Sequence, residues 1–134
     1  MRQMPTIVTA AVVERDGRLL VTRRLEGTHL AGRWEFPGGK CEEGESPESC
    51  LARELREELG VGATVGAEVH RTLHEYDDRA LDLRFFNCDL EGEPRPLLGQ
   101  EIRWVDRHDL RALEFPPADS ELVEMLAGSA RIAR

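Results

Sequence analysis

Three glutamates, Glu54, Glu57 and Glu58, stand at positions i, i+3 and i+4 in a segment with helical signals. On an α-helix that spacing gathers their carboxylates within a sector of about 100°. Grouped oxygen ligands suit a hard divalent cation, and magnesium typically takes a few carboxylates, several waters and substrate phosphate oxygens in an octahedron. Mg²⁺ is therefore the expected cofactor, with Mn²⁺ as a substitute. A cation held there would neutralise charge on a phosphate chain and lower the pKa of an attacking water, two contributions to diphosphate hydrolysis. The same three glutamates taken alone also describe a solvated acidic helix face. Arg53 can pair with Glu57 one turn away but cannot neutralise all three, so their mutual repulsion favours a bound cation.

The elements that must position these groups can be read from local signals. Ser46 is a good N-cap, Pro47 suits the first helical position, Glu48 complements the helix dipole and Gly60 ends the run, which predicts a helix over 47–59. Leu51, Leu55 and Leu59 form an i, i+4, i+8 stripe centred roughly 100° from the glutamates, so the carboxylates flank the buried face and line a cleft. Upstream, residues 6–13 and 18–22 are rich in Val, Ile, Leu and Thr and are separated by Asp16-Gly17, which predicts an antiparallel pair. A loop over 26–32, a short strand over 34–36 and a break in regular structure at Pro37-Gly38-Gly39 follow, the break lying just before the chemistry. Downstream, strands over 63–73 and 80–90 should form a long hairpin around a turn at Asp77, Asp78 and Arg79. A Gly- and Pro-bearing loop over 91–100, a strand over 101–105 and a helix over 120–126 packed on the sheet complete the chain.

The 134 residues, 40% of them hydrophobic, suffice for one domain over 1–134 with a continuous core. The formal net charge of -8 argues against a nucleic-acid polymer or an anionic membrane surface as partner, while a small anion bridged by a cation remains compatible. Cys41, Cys50 and Cys88 are odd in number and lack CxxC spacing, which predicts reduced, buried or idle thiols rather than a disulfide framework or zinc site. The apolar run over 7–13 reads as a core strand, not a signal peptide, and no stretch approaches the roughly 20 residues that cross a bilayer, so the cytoplasm is the expected location. Both a monomer and a homodimer fit the sequence.

The wider pattern is Gly39-x5-Glu45-x7-Arg53-Glu54-Leu55-Arg56-Glu57-Glu58-Leu59-Gly60-Val61. It reproduces the box of the Nudix hydrolase family, Gx5Ex7REUxEExGU with U aliphatic. Thr22-Arg23-Arg24, the segment from Trp34 through Lys40, and Phe115-Pro116-Pro117-Ala118-Asp119 further resemble its MutT-like branch, so the likeness covers most of the chain. The resemblance implies an α/β fold, an α/β/α sandwich around a mixed β-sheet. It also implies Mg²⁺-dependent hydrolysis of a nucleoside triphosphate to the monophosphate and pyrophosphate, commonly by water attack at the β-phosphorus, in the service of nucleotide-pool sanitation. By the same resemblance the Gly38 carbonyl, Glu54, Glu57 and Glu58 would bind metal, Glu54, Glu57 and Arg53 would serve catalysis, and Arg24 and Lys40 would contact phosphate.

One position departs from that pattern. MutT-like enzymes usually carry a loop glutamate six residues before the tryptophan that matches Trp104, and here that residue is Leu98. Its absence moves the expected catalytic base to Glu54, with Glu101, Glu91 or Glu93 as other carboxylates that could enter. Base recognition would rest on Asp119, where cytosine-directed relatives have an aspartate and guanine-directed ones an asparagine. An ionised aspartate only accepts hydrogen bonds, which favours an amino-bearing base edge. Asp119 could equally cap the final helix, and Phe36 and Arg79 could line the base site or be core and turn surface respectively. Oxidised dGTP and cytosine nucleotides are the first substrates implied. Another nucleoside diphosphate-X substrate, or a nucleotide-binding module without turnover, is also compatible.

Overall fold

The computed structural model describes residues 4–28, 30–76 and 79–128. Its strands are β1 (Thr6–Val12), β2 (Glu14–Arg15), β3 (Arg18–Arg23), β4 (Trp34–Glu35), β5 (Gly38–Lys40), β6 (Gly62–Tyr76), β7 (Arg79–Glu91) and β8 (Ile102–Asp106). Among the described residues there are two α-helices, α1 (Pro47–Leu59) and α2 (Ser120–Gly128), and 3-10 turns at Arg107–Ala112 and Pro117–Asp119 lie between β8 and α2.

The strands form a mixed sheet in the order β5-β1-β7-β6 and a second sheet in which β3 pairs with β2, β4 and β8. Period-two alternation sends successive side chains to opposite faces. Ala11 and Val13, Leu20, and Phe86, Cys88 and Leu90 pack with Leu51, Leu55 and Leu59 of α1. Val12, Leu19 and Val21, and Leu83 and Phe85, pack on the other side with Leu110 and with Leu122 and Val123 of α2. Strand residues are thus buried on both faces, which gives the α/β/α sandwich. No helix among the described residues is long and apolar enough to cross a membrane.

Helix α1 follows its local signals closely. The Ser46 hydroxyl accepts from the Ser49 N–H at 3.1 Å, Pro47 occupies the first turn, and Gly60 closes the helix in the left-handed region with its N–H donating to the Arg56 carbonyl at 3.0 Å. The leucine stripe is wholly buried.

The antiparallel pair expected before and after Asp16-Gly17 is shorter than its apolar runs. Asp16 and Gly17 both have positive φ, 51° and 77°, as a tight hairpin turn requires, but the ladder across it is limited to Glu14–Leu19 and Arg15–Arg18, with the Leu20 N–H donating to the Val13 carbonyl at 3.0 Å. The strand divides at Val13, and β1 instead lies parallel to β7 and antiparallel to β5. Its two buried faces need partners in both helical layers, and β7 supplies the parallel neighbour from 75 residues along the chain.

The expected break at Pro37-Gly38-Gly39 is in part a strand. Gly38–Lys40 pairs with Val8, Thr9 and Ala10, and a Cβ on Gly38 would collide with the backbone carbonyl of Thr9. Glycine is required for that approach. The β6/β7 hairpin forms as expected, with register irregularities between Val65 and His70. Arg79 is the first residue of β7 and pairs with Tyr76, while Asp77 and Asp78 of the expected turn lie outside the described residues.

The cysteines overturn an expectation. Cys41 and Cys50 form a disulfide, their Cα atoms 5.2 Å apart, and only Cys88 is a free thiol among the described residues. The first turn of α1 folds back beside the end of β5 and brings together two residues whose sequence spacing carries no pairing signal. Burial, with Asp89 nearby, pushes the Cys88 thiol up to about 12, so it is inert.

Candidate active site

Strand β5 and helix α1 meet along Gly38 and Gly39. The Gly39 Cα faces the Glu54 carboxyl so closely that a Cβ would overlap it. The Gly38 backbone lies against the Glu58 carboxyl and favours its ionised form. The two glutamates are adjacent. Burial first, then the charges of Glu54 and Glu35, push the Glu58 carboxyl up to about 8, and a hydrogen bond from Glu58 to Glu54 adds to the rise. A carboxyl raised in this way ionises near neutral pH only when a positive charge comes close to it. The oxygen donors of the pair therefore fit a hard divalent cation.

Glu57 stands apart from that pair. Its side chain is 59% exposed against 15% for Glu54, and it rests on Arg53 Nη1 at 3.2 Å. Arg53 is the organising residue here. Its guanidinium grips both oxygens of Glu45 at 2.6 and 3.0 Å, reaches Glu54 at 3.1 Å and donates to the Lys40 carbonyl at 3.1 Å. The Glu42 N–H also donates to Glu45 at 2.8 Å. These bonds hold the Glu45 carboxyl down at about 2 and raise the Arg53 pKa further above its ordinary range. Through these bonds Glu45 ties the loop before α1 to the helix.

Glu58 opens onto a cleft of about 640 Å³ that also exposes Arg24, Lys40, Phe36, Arg79 and Asp119. Such a volume suits a nucleotide-sized ligand. Phe36 is at once core and cleft wall, stacked on Phe115 at 5.2 Å and edge-on to Phe85 at 6.2 Å. Arg79 is exposed at the rim, and Lys40 is exposed at the end of β5. Asp119 is 6% exposed and lines the cleft from the 3-10 turn before α2.

Burial, reinforced by the charge of Glu35 and opposed by Arg24, pushes the Asp119 carboxyl up to about 7. Near neutral pH it is divided between an ionised form that only accepts and a protonated form that also donates. The premise of a purely accepting aspartate therefore does not hold.

Glu35 has no assigned role in the sequence reading, yet it lines the cleft, takes a 2.8 Å salt bridge from Arg24 Nη1 and faces both Glu58 and Asp119 electrostatically. Burial raises its own carboxyl against the lowering effect of Arg24. A charged residue between Trp34 and Phe36, in a segment otherwise apolar, was the available signal.

Gln100 is the second omission. Its Oε1 accepts from the Leu98 N–H at 2.9 Å and its Nε2 donates to the Glu58 carbonyl at 3.1 Å. The N–H groups of Leu97 and Arg95 donate to the Glu58 and Leu59 carbonyls at 3.1 and 2.9 Å. The loop thereby satisfies helix-end carbonyls that α1 leaves unpaired. Leu98 is 54% exposed and shares a smaller cleft with Glu58, Arg24 and Glu35. Glu101 pairs with Arg23 and Arg103, and Glu93 with Arg15.

Residues 8–125 match the family model described as NUDIX domain. The chain is 40% identical over 121 residues to an 8-oxo-dGTP diphosphatase of Haemophilus influenzae, covering 89% of each. It is 41% identical over 120 residues to a CTP pyrophosphohydrolase of Escherichia coli K12, covering 87% of each. The solution structure of the E. coli ORF135 protein superposes with a TM-score of 0.85 at 37% identity, over 98% of this chain and 96% of that one.

Proposed function

Since this chain belongs to the Nudix family of hydrolases, we propose that it is a Mg²⁺-dependent pyrophosphohydrolase that converts a nucleoside triphosphate and water to the monophosphate and pyrophosphate. The observation that carries this reading is the Glu54–Glu58 pair against Gly38 and Gly39, beside a cleft that Glu58 shares with Arg24, Lys40 and Asp119.

In this reading Glu54, Glu57, Glu58 and the Gly38 carbonyl hold the divalent cation, with Mn²⁺ as a substitute for Mg²⁺. When bound, the cation neutralises charge on the phosphate chain and makes water a better nucleophile. Glu54 takes the proton from the attacking water, and Arg53 keeps Glu54 and Glu57 aimed. Arg24 and Lys40 bind phosphate oxygens. Asp119 reads the base edge, with Phe36 and Arg79 forming the wall and rim. The substrates to which this assigns the enzyme are oxidised dGTP and cytosine triphosphates, consistent with the activities named for the two relatives and with a cytoplasmic role in nucleotide-pool sanitation.

The test is a panel of ordinary and oxidised triphosphates, sugar nucleotides and dinucleotides, with pyrophosphate and orthophosphate measured separately. Pyrophosphate release that needs Mg²⁺ or Mn²⁺, and that Glu57→Gln largely abolishes without unfolding the protein, is the expected result. Turnover confined to diphosphate-X compounds would move the assignment to another Nudix substrate class. Tight nucleotide binding without turnover would make the protein a binding module.

A further inference from the structure

We propose that Cys41 and Cys50 are a reversible oxidation site whose disulfide ties the strand end of the active site to its helix. Cys41 directly follows Lys40 at the end of β5, and Cys50 lies in the first turn of α1. Gly38, Gly39 and Lys40 are on one side of this link, and Glu54, Glu57 and Glu58 on the other. The Cys50 sulfur also lies 3.3 Å from the Thr9 hydroxyl and 3.9 Å from the Gly39 carbonyl, so it is packed beneath the glycine that faces Glu54.

The two sulfurs are unequally accessible, which gives the chemistry a direction. Cys50 is 0% exposed, whereas Cys41 is half-buried. A hydroperoxide therefore reaches Cys41 first. The Cys41 thiolate attacks a peroxide oxygen, the O–O bond breaks, water leaves after protonation and a sulfenic acid forms. The Cys50 sulfur then attacks the Cys41 sulfur, the S–O bond breaks and a second water leaves. Two thiols and one hydrogen peroxide become one disulfide and two waters. In reverse, a dithiol reductant attacks Cys41, forms a mixed disulfide there and releases the Cys50 thiol, and its second thiol then frees Cys41 as the reductant itself is oxidised. Disulfides of this kind in reducing compartments are characteristically transient and redox-sensing.

Cys88 is a built-in control, since it is buried and has no partner cysteine. Glu45 lies close enough to both sulfurs to suggest a metal site for the reduced pair. Its two oxygens are, however, occupied by Arg53 and by the Glu42 N–H. A dithiol pair is the better fit.

The experiment starts with thiol counting after denaturation and alkylation. Protein treated with stoichiometric hydrogen peroxide should show one free thiol, Cys88, and protein treated with dithiothreitol three, with the 41–50 linkage identified by peptide mass. Cys50→Ala treated with peroxide and then a small thiol should trap a mixed disulfide on Cys41. Melting of the two wild-type forms should differ by roughly 5–10 °C in favour of the oxidised one, from the chain entropy that the cross-link removes. Mn²⁺ binding measured without substrate should weaken roughly tenfold on reduction, as when groups that orient metal ligands are lost. Three free thiols after peroxide, or identical melting and Mn²⁺ binding in both forms, would overturn the proposal. The Mn²⁺ arm rests on the metal reading of the site, whereas the thiol count and the melting do not, so the two can fail separately.

Discussion

Replacing Asp119 by asparagine exchanges a titrating carboxyl for a neutral group of nearly the same shape inside the cleft. The Asp119 carboxyl is raised from 3.8 to about 7, by burial first and by Glu35 second, with Arg24 opposing. At 1.36 kcal/mol per pKa unit, a shift of roughly three units corresponds to about 4 kcal/mol of stability. Because the folded-state value is the higher one, this contribution is fully present below about pH 4 and is lost as pH rises through 7. Between pH 5 and pH 8 the wild type should lose about 3 kcal/mol that the Asp119→Asn variant keeps, or roughly 10 °C of melting temperature for a domain of this size. Circular-dichroism melts or urea titrations of both proteins at pH 5 and pH 8 measure it. Parallel pH profiles, with the same wild-type-to-variant difference at both ends, would show that the buried carboxyl does not titrate as argued.

The adjacent glycines of β5 should behave oppositely. Gly38→Ala drives a Cβ into the Thr9 backbone, which cannot yield, so it should cost several kcal/mol of stability, roughly 3 or more. Gly39→Ala meets only the movable end of Glu54, so it should leave melting within about 1 kcal/mol of wild type while cutting kcat by roughly 100-fold or more. Equal losses of stability in the two variants would contradict this distinction. Arg53→Lys retains charge but cannot make the two-point grip on Glu45 together with the bonds to Lys40 and Glu57, so it should lower the melting temperature and lower kcat more than it raises KM. Retention of full activity would remove Arg53 from the site. Leu98→Glu adds a carboxylate at an exposed position beside Glu58 and should lower the Mg²⁺ concentration needed for half-maximal activity with melting almost unchanged, within about 0.5 kcal/mol. A higher Mg²⁺ requirement would count against a metal site there.

Helix α1 was legible residue by residue because its determinants act within a few positions of one another. The Ser46 cap, the Gly60 stop, the leucine stripe and the glutamate spacing all operate over one to four turns. The hairpin of β6 and β7 was legible for the same reason. Pairing of β1 with β7 and β5 was not, because a strand buried on both faces shows no preference for its neighbour and the choice is made by packing against both helices. Gly38 and Gly39 read as a break because glycine signals backbone freedom, while their actual use is close approach to Thr9 and Glu54.

By itself, then, the sequence determined the family pattern, the acidic helix face and the kind of cation it suits, because those rest on residue types at short, regular spacing. Tertiary structure alone decided that Glu54 and Glu58 share a buried locus while Glu57 is left largely exposed, and that Glu35 and Arg24 meet Asp119 from elsewhere in the chain. It also decided that Gln100 caps the C-terminal end of α1 and that Cys41 and Cys50 are joined. Each of these depends on how separate elements pack, and burial then sets the charge state of the groups they bring together, as at Asp119 and Glu58.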